Sequence, residues 1–588
     1  MKHFMKQTQT RSALPLGSTK KENDYRRTLT PPSGAGGLHL LITLLLVFTL
    51  LPAFSQGLSK PGTGVTIIVH GWNPDGSQPA WIDKMADAII ARSGGVGHIG
   101  TITVSGSSAN LTATCSNWNF DMASANAGEI VILVNWTAVS NHLTTFTTAQ
   151  SVAAVVAPKI YQPQNSQPAL SELPIHLIGH SRGGGMIFEI ARLLGLQGIE
   201  VEQVTALDPH PLTEADPQPL MGTHTLDTPV KVHENILFVD NYYQNIKFPT
   251  GQYINGAYNR LWTSLPGGYH NESGYTYNII LANYDFSDHL NIILAYHGTI
   301  NLATPVTNGQ ATMNTTERTW FNTVENAGEN TGFSYSAMGM GNRKSANIPV
   351  AGGDAVMAGF NNNSLLGGTG VRQSLTWTNA VWPNIITASI FRNSAELLTT
   401  ALTVAANEVL QLNYNYRSNA NPCVVTFYID MDRNPYNNNN VATIGTQNWS
   451  ATGTTLTQST LNWTVNGLSD GTKYYVCAKI TDGIHTRFLY PNYEITCSTN
   501  HAGFENISEQ NSISIYPNPT NGLLNIDVEI SIKPLSVKVF DLVGNLIIEK
   551  TIQNKGHTQL DVSNLKNAMY LIKADNTSQL KTCKLIKY

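Results

Sequence analysis

The sequence has few charged residues and few cysteines, and its histidines are scattered. Charged side chains make up only 13% of the 588 residues and the formal net charge is −4, so the chain lacks a basic patch that could follow nucleic-acid phosphates. Five cysteines, with no pair at zinc-ligand spacing, do not form a disulfide or metal framework. We therefore expect no metal, no cofactor and no nucleic-acid partner.

Apolar runs long enough to span a membrane are also missing from the N-terminal segment. Residues 40–51 are apolar, but twelve residues are too few to cross a bilayer comfortably and match the central region of a signal peptide. Lysines and arginines precede this run, and Ala53-Phe54-Ser55 supplies a cleavage site. We predict that residues 1–56 are a signal or targeting segment, that the mature chain has no transmembrane span and that the protein is exported.

A pentapeptide that starts at Gly179 and reads G-H-S-R-G carries the strongest chemical signal. It follows the mostly apolar residues 175–178 and precedes a helix-compatible stretch, residues 186–194. A serine between glycines on a strand-to-helix turn is the geometry of a nucleophile elbow, which lifts the hydroxyl toward a substrate. This context predicts that Ser181 is a catalytic nucleophile.

A second motif reads H-G-W-N-P and follows the β-branched residues 65–69. Enzymes that transfer acyl groups stabilise the negative oxygen of the tetrahedral intermediate, usually with two backbone N–H groups. One would come from Arg182, directly after the nucleophile, and the other from Trp72, beside a glycine that permits close approach. We predict Trp72 and Arg182 as the oxyanion-hole residues.

Two aspartates follow strand-like segments and compete for the role of the catalytic acid. Residues 201–207 end at Asp208, which a proline follows, and residues 235–239 end at Asp240. In a Ser-His-Asp triad the acid orients the imidazole and stabilises the imidazolium. The Leu-Asp-Pro context favours Asp208, and Asp240 is the alternative acid.

The base must be a histidine that follows the acid in the chain. His289 lies in a segment that leads into the amphipathic residues 292–296, late in the region, where a triad of this order places its imidazole. His270 follows Gly-Gly-Tyr in a loop and is the alternative base. We favour His289. The full set of candidates is His210, His224, His233, His270, His289 and His297.

Together these motifs resemble the lipase branch of the α/β-hydrolases, in particular the pancreatic-type lipases, over roughly residues 62–300. The segment 288–300 also resembles the histidine segment of bacterial lipase-like hydrolases. The resemblance implies an α/β fold class, an α/β-hydrolase sheet with helices on both faces, followed here by all-β sandwich modules. The cysteine-rich framework of animal lipases is absent, which leaves the substrate class open.

The organisation after the catalytic region changes in composition. We predict a catalytic domain at residues 57–300 and an extension, lid or linker at 301–384. Alternating strands with polar turns predict a β-sandwich at 385–500, whose late turn resembles fibronectin III-like modules. A linker at 501–512 precedes the C-terminal unit.

Two details of the sandwich region bear on ligands. Asp430, Asp432 and Asn434 place side-chain oxygens at alternate positions, as calcium loops do, but without the glycine and glutamate of an EF-hand, so a hydrogen-bonded turn is favoured. Three cysteines of this region could form one disulfide after export, namely Cys423, Cys477 and Cys497.

The C-terminal unit, residues 513–588, has its own signature. It begins with Tyr-Pro-Asn-Pro at Tyr516 and ends in a basic segment. It resembles the C-terminal sorting domain of type IX secretion in Bacteroidetes-like bacteria. That resemblance implies the type IX secretion machinery as a partner, and a protein that is secreted or held at the cell surface.

These observations predict a secreted serine hydrolase, an enzyme that cleaves carboxylic esters, with lipids among the candidate substrates, through an acyl-enzyme. Two alternatives stay open. A peptidase or amidase would use the same triad, and a non-catalytic surface adhesin would retain the fold without the reaction.

Overall fold

The computed structural model describes residues 64–587 apart from a set of internal segments. The segments left out are 74–75, 93–94, 96, 121–127, 141–146, 213–226, 263–275, 280–281, 302, 304, 317–332, 334–371, 376–381, 398–400, 419–421, 454, 492, 499–512, 529–534, 542–544, 553–555 and 576–579. The predicted signal segment, the 501–512 linker, His270 and most of the predicted 301–384 extension therefore lie outside the described residues.

An eight-stranded sheet forms the centre of the N-terminal region. Its strands are β1 (Val65–Val69), β2 (Gly97–Ser107), β3 (Asn110–Ser116), β4 (Glu129–Asn135), β5 (Ile175–His180), β6 (Val201–Leu207), β7 (Ile236–Gln244) and β8 (Tyr258–Trp262). They lie in the order β3-β2-β4-β1-β5-β6-β7-β8. All neighbours pair in parallel except β2 and β3, which are antiparallel. The carboxyl ends of β5, β6 and β7 therefore meet at one edge.

The helices of the described residues cluster in this N-terminal region. They are α1 (Ala80–Arg92), α2 (Thr137–Ser140), α3 (Ala149–Tyr161), α4 (Arg182–Leu196) and α5 (Ser287–Ile300), with one 3-10 turn at Leu170–Glu172. Among the described residues, no helix is both long and apolar enough to cross a membrane. Two short hairpins accompany α5, formed by β9 (Thr276–Ile279), β10 (Ala282–Asp285), β11 (Val306–Thr307) and β12 (Thr312–Met313).

The apolar residues of the central strands divide between two clusters. Ile67 and Val69 of β1 belong to a cluster that includes residues of α3 and α4. Ile68 belongs to a second cluster, which includes residues of α1 and α5. Successive side chains of a strand point to opposite faces, and strands buried on both faces carry continuous apolar runs such as the V-T-I-I-V of β1.

A β-sandwich follows. Its strands are β13 (Asn384–Arg392), β14 (Ala395–Glu396), β15 (Ala401–Ala405), β16 (Val409–Arg417), β17 (Cys423–Asp430), β18 (Ala442–Trp449), β19 (Thr457–Thr464), β20 (Lys473–Thr481), β21 (Thr486–Leu489) and β22 (Glu494–Ser498). They form a four-stranded sheet, β14-β13-β16-β19, and a six-stranded sheet, β15-β22-β20-β17-β18, with β21 on β20. Both sheets contribute to one core, for example through Leu412 and Val476.

The C-terminal unit also consists of strands in its described residues. These are β23 (Ile513–Tyr516), β24 (Leu523–Val528), β25 (Leu535–Phe540), β26 (Leu546–Ile552), β27 (Gly556–Asp561), β28 (Ala568–Asp575) and β29 (Leu580–Lys587). They form a three-stranded sheet, β23-β24-β27, and a four-stranded sheet, β26-β25-β28-β29. A small apolar core that includes Leu524, Val537 and Ile572 joins them.

The predicted fold class is wrong for this chain. Strands make up 46% of the structure and helices 18%, distributed over several sheets, so the architecture is predominantly β and sandwich-like rather than an α/β-hydrolase with helices on both faces. The prediction followed the resemblance of three motifs within residues 62–300 to lipases. From residue 384 onward, all regular elements of the described residues are strands, because alternating apolar and polar residues there favour antiparallel sheets.

Candidate active site

Ser181 lies between β5 and α4 in a strained backbone conformation. Its φ is 56° and its ψ is −125°, a region that residues other than glycine rarely occupy. The Ser181 N–H donates to Leu207 O at 3.0 Å, and the N–H groups of Gly184 and His210 each donate to Ser181 O at 2.9 Å. The predicted nucleophile is therefore held on a rigid turn, with its side chain only partly buried.

The loop after β1 packs directly on this turn, at positions where only glycine fits. A Cβ added at Gly71 would lie 2.6 Å from Ser181 Cβ, and one added at Gly183 would lie 2.3 Å from His70 O. A Cβ atom essentially never makes non-bonded contacts this short, so an alanine at either position would push the loop away from the turn. Glycine is therefore required where the predicted oxyanion loop meets the predicted nucleophile.

Asp208 lies at the carboxyl end of β6, fully buried, and also has a positive φ of 42°. Its Oδ1 accepts the N–H groups of Gln244 (2.9 Å) and Gly251 (2.7 Å). Its Oδ2 accepts Gln244 Nε2–H at 3.0 Å and lies 2.5 Å from His289 Nδ1. Burial raises the pKa of Asp208 to about 6, and the hydrogen bonds from Gln244 oppose that rise. At neutral pH the carboxylate is ionised.

His289 is the third residue of α5 and is 3% exposed. Because the ionised Asp208 can only accept, the His289 Nδ1–H donates to it and leaves Nε2 with its lone pair. Nε2 is buried and has no hydrogen-bond partner among the described residues. Burial, assisted by the nearby His210, lowers the pKa of His289 well below its ordinary value, so the ring is neutral at neutral pH. A neutral imidazole with a basic Nε2 is the form that a general base needs.

Two further histidines lie beside this ring. His180 was not predicted to belong to the site, and His210 was considered only as one of the candidates for the base. His180 donates from Nε2 to His289 O at 3.1 Å, and the two rings lie 4.4 Å apart. His210 lies 6.4 Å from the His289 ring and donates from Nδ1 to Thr250 O at 2.8 Å. The position of His180 inside the serine motif was the available signal, whereas the contact of His210 depends on the folded loop.

The alternative acid, Asp240, makes different contacts. It lies on β7, where its Oδ1 accepts the Thr205 hydroxyl at 2.5 Å and Gln203 Nε2–H at 3.4 Å. Thr205 in turn contacts His176 Nε2 at 2.8 Å. These hydrogen bonds belong to the interior of the sheet, while Asp208 contacts the predicted base. The alternative base, His270, lies outside the described residues.

The two predicted oxyanion residues belong to the segments that meet at Ser181, the loop after β1 and the start of α4. Trp72 follows Gly71 in the loop after β1, partly buried, with its ring 6.3 Å from that of Phe286. Arg182 is the first residue of α4, where backbone N–H groups are unpaired within the helix and the helix dipole favours negative charge. The Arg182 side chain points elsewhere, into a buried ion pair with Asp227.

The turn at Asp430 is closed by hydrogen bonds between its own residues. Asp432 N–H donates to Asp430 Oδ1 at 3.4 Å, and Asn434 N–H donates to Asp432 Oδ1 at 2.9 Å. Tyr490 donates to Asp430 Oδ2 at 2.6 Å. In the described part of the chain, no group of three or more His, Cys, Asp or Glu residues could hold a metal ion. Over the same residues, the possible disulfide is not formed, because Cys423, Cys477 and Cys497 are free thiols.

Comparisons with solved structures find weak likenesses. The chain is similar to the BSP domain of a biofilm associated protein, with 11% identity, a TM-score of 0.12, and coverage of 31% of this chain and 49% of that chain. It is similar to a two-domain fibronectin type-III segment from chicken tenascin, with 14% identity, a TM-score of 0.12, and coverage of 31% and 94%. It is also similar to the CsuC–CsuE chaperone–tip adhesion subunit complex of Acinetobacter baumannii, with 10% identity, a TM-score of 0.12, and coverage of 34% and 99%. At these TM-scores the likenesses assign neither fold nor function.

No curated protein matches the chain. Residues 514–588 match a family described as the secretion system C-terminal sorting domain. This match confirms the predicted sorting domain, which indicates interaction with the type IX secretion machinery, and it confirms the predicted location. The chain is thus a secreted protein with a sorting domain that directs it to the cell surface.

Proposed function

We propose that this secreted protein is a serine hydrolase that cleaves carboxylic esters, with Ser181 as nucleophile, His289 as base and Asp208 as acid. The observation that carries the proposal is the state of His289. Its Nδ1 is bonded to a buried carboxylate, and its Nε2 is buried without a partner among the described residues. The contact with Asp208 fixes the tautomer that leaves Nε2 free to take a proton.

The reaction follows from these roles. Nε2 of His289 takes the proton of the Ser181 hydroxyl as Oγ attacks the ester carbonyl carbon, and the backbone N–H groups of Trp72 and Arg182 stabilise the oxyanion. The tetrahedral intermediate collapses to the acyl-enzyme, and the imidazolium returns its proton to the leaving alcohol. Water then attacks the acyl-enzyme by the same proton route, which releases the carboxylic acid and restores Ser181.

The triad alone does not distinguish an ester from an amide, so a peptidase or amidase is the alternative within enzymes. We favour esters, with lipids among them, from the resemblance of the three motifs to lipases. The sorting domain fits this proposal, because an enzyme delivered to the cell surface meets its substrates outside the cell.

A non-catalytic surface protein is the second candidate, and the comparisons favour it over the first. The sorting-domain match supports a secreted surface protein, and none of the matches given above is to a hydrolase. In such a protein the Asp208–His289 pair would be a structural remnant. The two candidates differ in whether Ser181 reacts.

A fluorophosphonate probe separates the candidates. We expect the full-length secreted chain to be labelled on one serine and the Ser181→Ala variant to remain unlabelled. Ser171→Ala is the matched control, since its hydroxyl is buried without a hydrogen-bond partner in the described part of the chain, and labelling should persist there. A folded wild-type protein that is not labelled would favour the surface protein without catalysis.

The substrate class is tested on the same proteins. Hydrolysis of p-nitrophenyl butyrate and palmitate that disappears with Ser181→Ala would identify an esterase, and the ratio of the two rates would separate short-chain esters from lipids. Labelling accompanied by cleavage of peptide p-nitroanilides and no ester hydrolysis would replace the ester proposal with the amidase.

A further inference from the structure

The residue directly after the predicted nucleophile, Arg182, forms a buried ion pair. Arg182 is 1% exposed, and its Nε–H and Nη2–H donate to the two carboxylate oxygens of Asp227 at 2.6 and 2.8 Å. Nη2 also donates to Thr147 O at 2.6 Å. Asp227 further accepts the N–H groups of Ala149 (2.8 Å) and Leu212 (3.1 Å). The pair therefore joins the first residue of α4 to the start of α3 and to the loop that follows Asp208.

The Arg182 guanidinium is connected to the loop after β1 through the side chain of Trp136. Arg182 Cζ lies 5.3 Å from the centre of the Trp136 ring, a cation–π arrangement. Trp136 Nε1–H donates to His70 O at 2.8 Å, and the two rings stack with centroids 5.6 Å apart. Trp136 is thus in contact both with the residue after the nucleophile and with the residue before Gly71.

The His70 ring completes the connection. Burial lowers the pKa of His70 to about 4, so the ring is neutral. Because Trp136 N–H donates to Nε2 at 3.3 Å, the proton of the neutral ring is on Nδ1, which donates to Gly71 O at 2.8 Å. The chain of contacts runs from Asp227 through Arg182, Trp136 and His70 to Gly71.

We propose that the Arg182 and Trp136 side chains are positioning residues, which hold the loop after β1 at a set distance from the Ser181 turn. This inference rests on the proposed function. The two N–H groups that would stabilise the oxyanion, those of Trp72 and Arg182, belong to the two segments that the network joins. A displacement of about 1 Å in a reacting site can lower the rate about 10²-fold, so the network acts on turnover and not on ground-state binding.

A buried ion pair alone is weak support for a role in stability, because well-packed apolar residues often replace such pairs without loss. This ion pair, however, is part of a network of contacts, and the residues of that network belong to different segments around Ser181. Gly71 and Gly183 are packed so closely against the opposite segment that not even a methyl group would fit between the two segments.

The test compares two tryptophan variants. Trp136→Phe keeps an aromatic ring but deletes the N–H that donates to His70 O. Trp118→Phe is the matched control, because Trp118 lies in the same apolar cluster and its Nε1 has no hydrogen-bond partner among the described residues. Turnover of p-nitrophenyl butyrate is measured per serine titrated with a fluorophosphonate, so that any unfolded fraction is not counted.

We expect kcat per titrated serine to fall about 10- to 10²-fold in Trp136→Phe, with KM and the pH profile unchanged, and to fall less than about twofold in Trp118→Phe. Arg182→Lys, which keeps the charge but loses the forked hydrogen bonds, should lower kcat in the same direction. Amide hydrogen exchange of residues 70–73 should rise in Trp136→Phe and stay unchanged in the control.

Equal kcat and equal exchange in the two tryptophan variants would overturn the positioning role while leaving the proposed hydrolase intact. A folded wild-type chain whose Ser181 does not react with the probe would overturn both, because no oxyanion would then form. The titration of the wild type and the comparison of the variants thus separate the two failures.

Discussion

The two ends of the central strands carry the same kind of buried ion pair, but the pairs join different things. At the carboxyl ends, Arg182 and Asp227 both come from the N-terminal region, and Arg182 directly follows Ser181. At the amino ends, Glu202 of β6 accepts Ile175 N–H at 2.6 Å and pairs with Arg487 of the β-sandwich at 2.9 Å. The first pair lies next to the proposed site, and the second joins the sheet to the sandwich.

The attachment at the amino ends is extensive. Arg487, 1% exposed, also donates to Glu200 O at 3.1 Å and to Leu173 O at 3.3 Å. Glu200 pairs with Arg417 at 3.1 Å and accepts Asn384 Nδ2–H at 2.7 Å. Glu202 lies on β6 and Glu200 shortly before this strand, while the donors belong to the sandwich. The sandwich is therefore part of the same packed structure as the sheet, on the side away from Ser181, and is not only a spacer.

The largest expected effect is a loss of catalysis on substitution at the carboxyl ends of the strands. Asp208→Asn should lower kcat about 10⁴-fold, because an amide in place of the carboxylate no longer stabilises the imidazolium or the required His289 tautomer. Asp240→Asn is the matched change on the next strand and should stay within about tenfold of wild type, since Asp240 bonds to Thr205. Steady-state hydrolysis of p-nitrophenyl butyrate measures both, and the reverse ranking would make Asp240 the acid.

The next largest effect is a loss of stability on substitution at the amino ends of the strands. Arg487→Met leaves Glu202 buried without its cation and should lower the free energy of unfolding by about 3–5 kcal/mol, measured in urea, while kcat stays within twofold of wild type. The double variant Arg487→Met, Glu202→Leu should regain most of this loss, because no buried charge remains. A loss below about 1 kcal/mol in the single variant would mean that the sandwich is only loosely attached.

Short motifs at strand ends were readable from the sequence. Ser181 and Asp208 each follow a buried apolar run, and parallel strands bring their carboxyl ends to one edge, so a shared site was predictable. The structure places Asp208 and His289 in hydrogen-bond contact at 2.5 Å. Their catalytic roles, like those of Trp72 and Arg182, stay predictions.

Long-range pairs were not readable. Arg182 was assigned a role through its backbone N–H alone, because nothing in the sequence indicates a side-chain partner 45 positions away in Asp227. The separation of Glu202 and Arg487 is 285 positions. The pattern of apolar and polar residues predicts individual strands and helices. Ion pairs between distant residues depend instead on which segments the fold brings together. The fold class was wrong because it was taken from the resemblance of three short motifs in the N-terminal region, whereas the chain consists mostly of strands.

The third prediction concerns pH and again separates the two ends. Burial raises the pKa of Asp208 to about 6, so the carboxylate gains a proton as the pH falls below that value and no longer holds His289 in its basic form. We expect kcat/KM to be half-maximal near pH 6, to fall about tenfold per pH unit below about pH 5, and to be constant from about pH 7. Since the pair titrates as a unit, the inflection belongs to both groups. Arg487→Met should leave the inflection in place, and a shift of one unit or more would show that the two ends are coupled.

The smallest effect tests the same separation with one hydroxyl. Tyr436 of the sandwich donates to Glu172 Oε2 at 3.1 Å, across the junction of the two modules, and Tyr436→Phe should lower the free energy of unfolding by about 1 kcal/mol. Tyr493→Phe is the matched control, because its hydroxyl donates to Leu397 O at 3.0 Å within the sandwich. Urea unfolding should show a loss for Tyr493→Phe that is at least as large, since its hydroxyl also accepts Ile390 N–H at 3.2 Å, and kcat should be unchanged in both variants. A fall in kcat for Tyr436→Phe alone would mean that the amino ends influence the Ser181 site, and that the division between a site and an attachment is wrong.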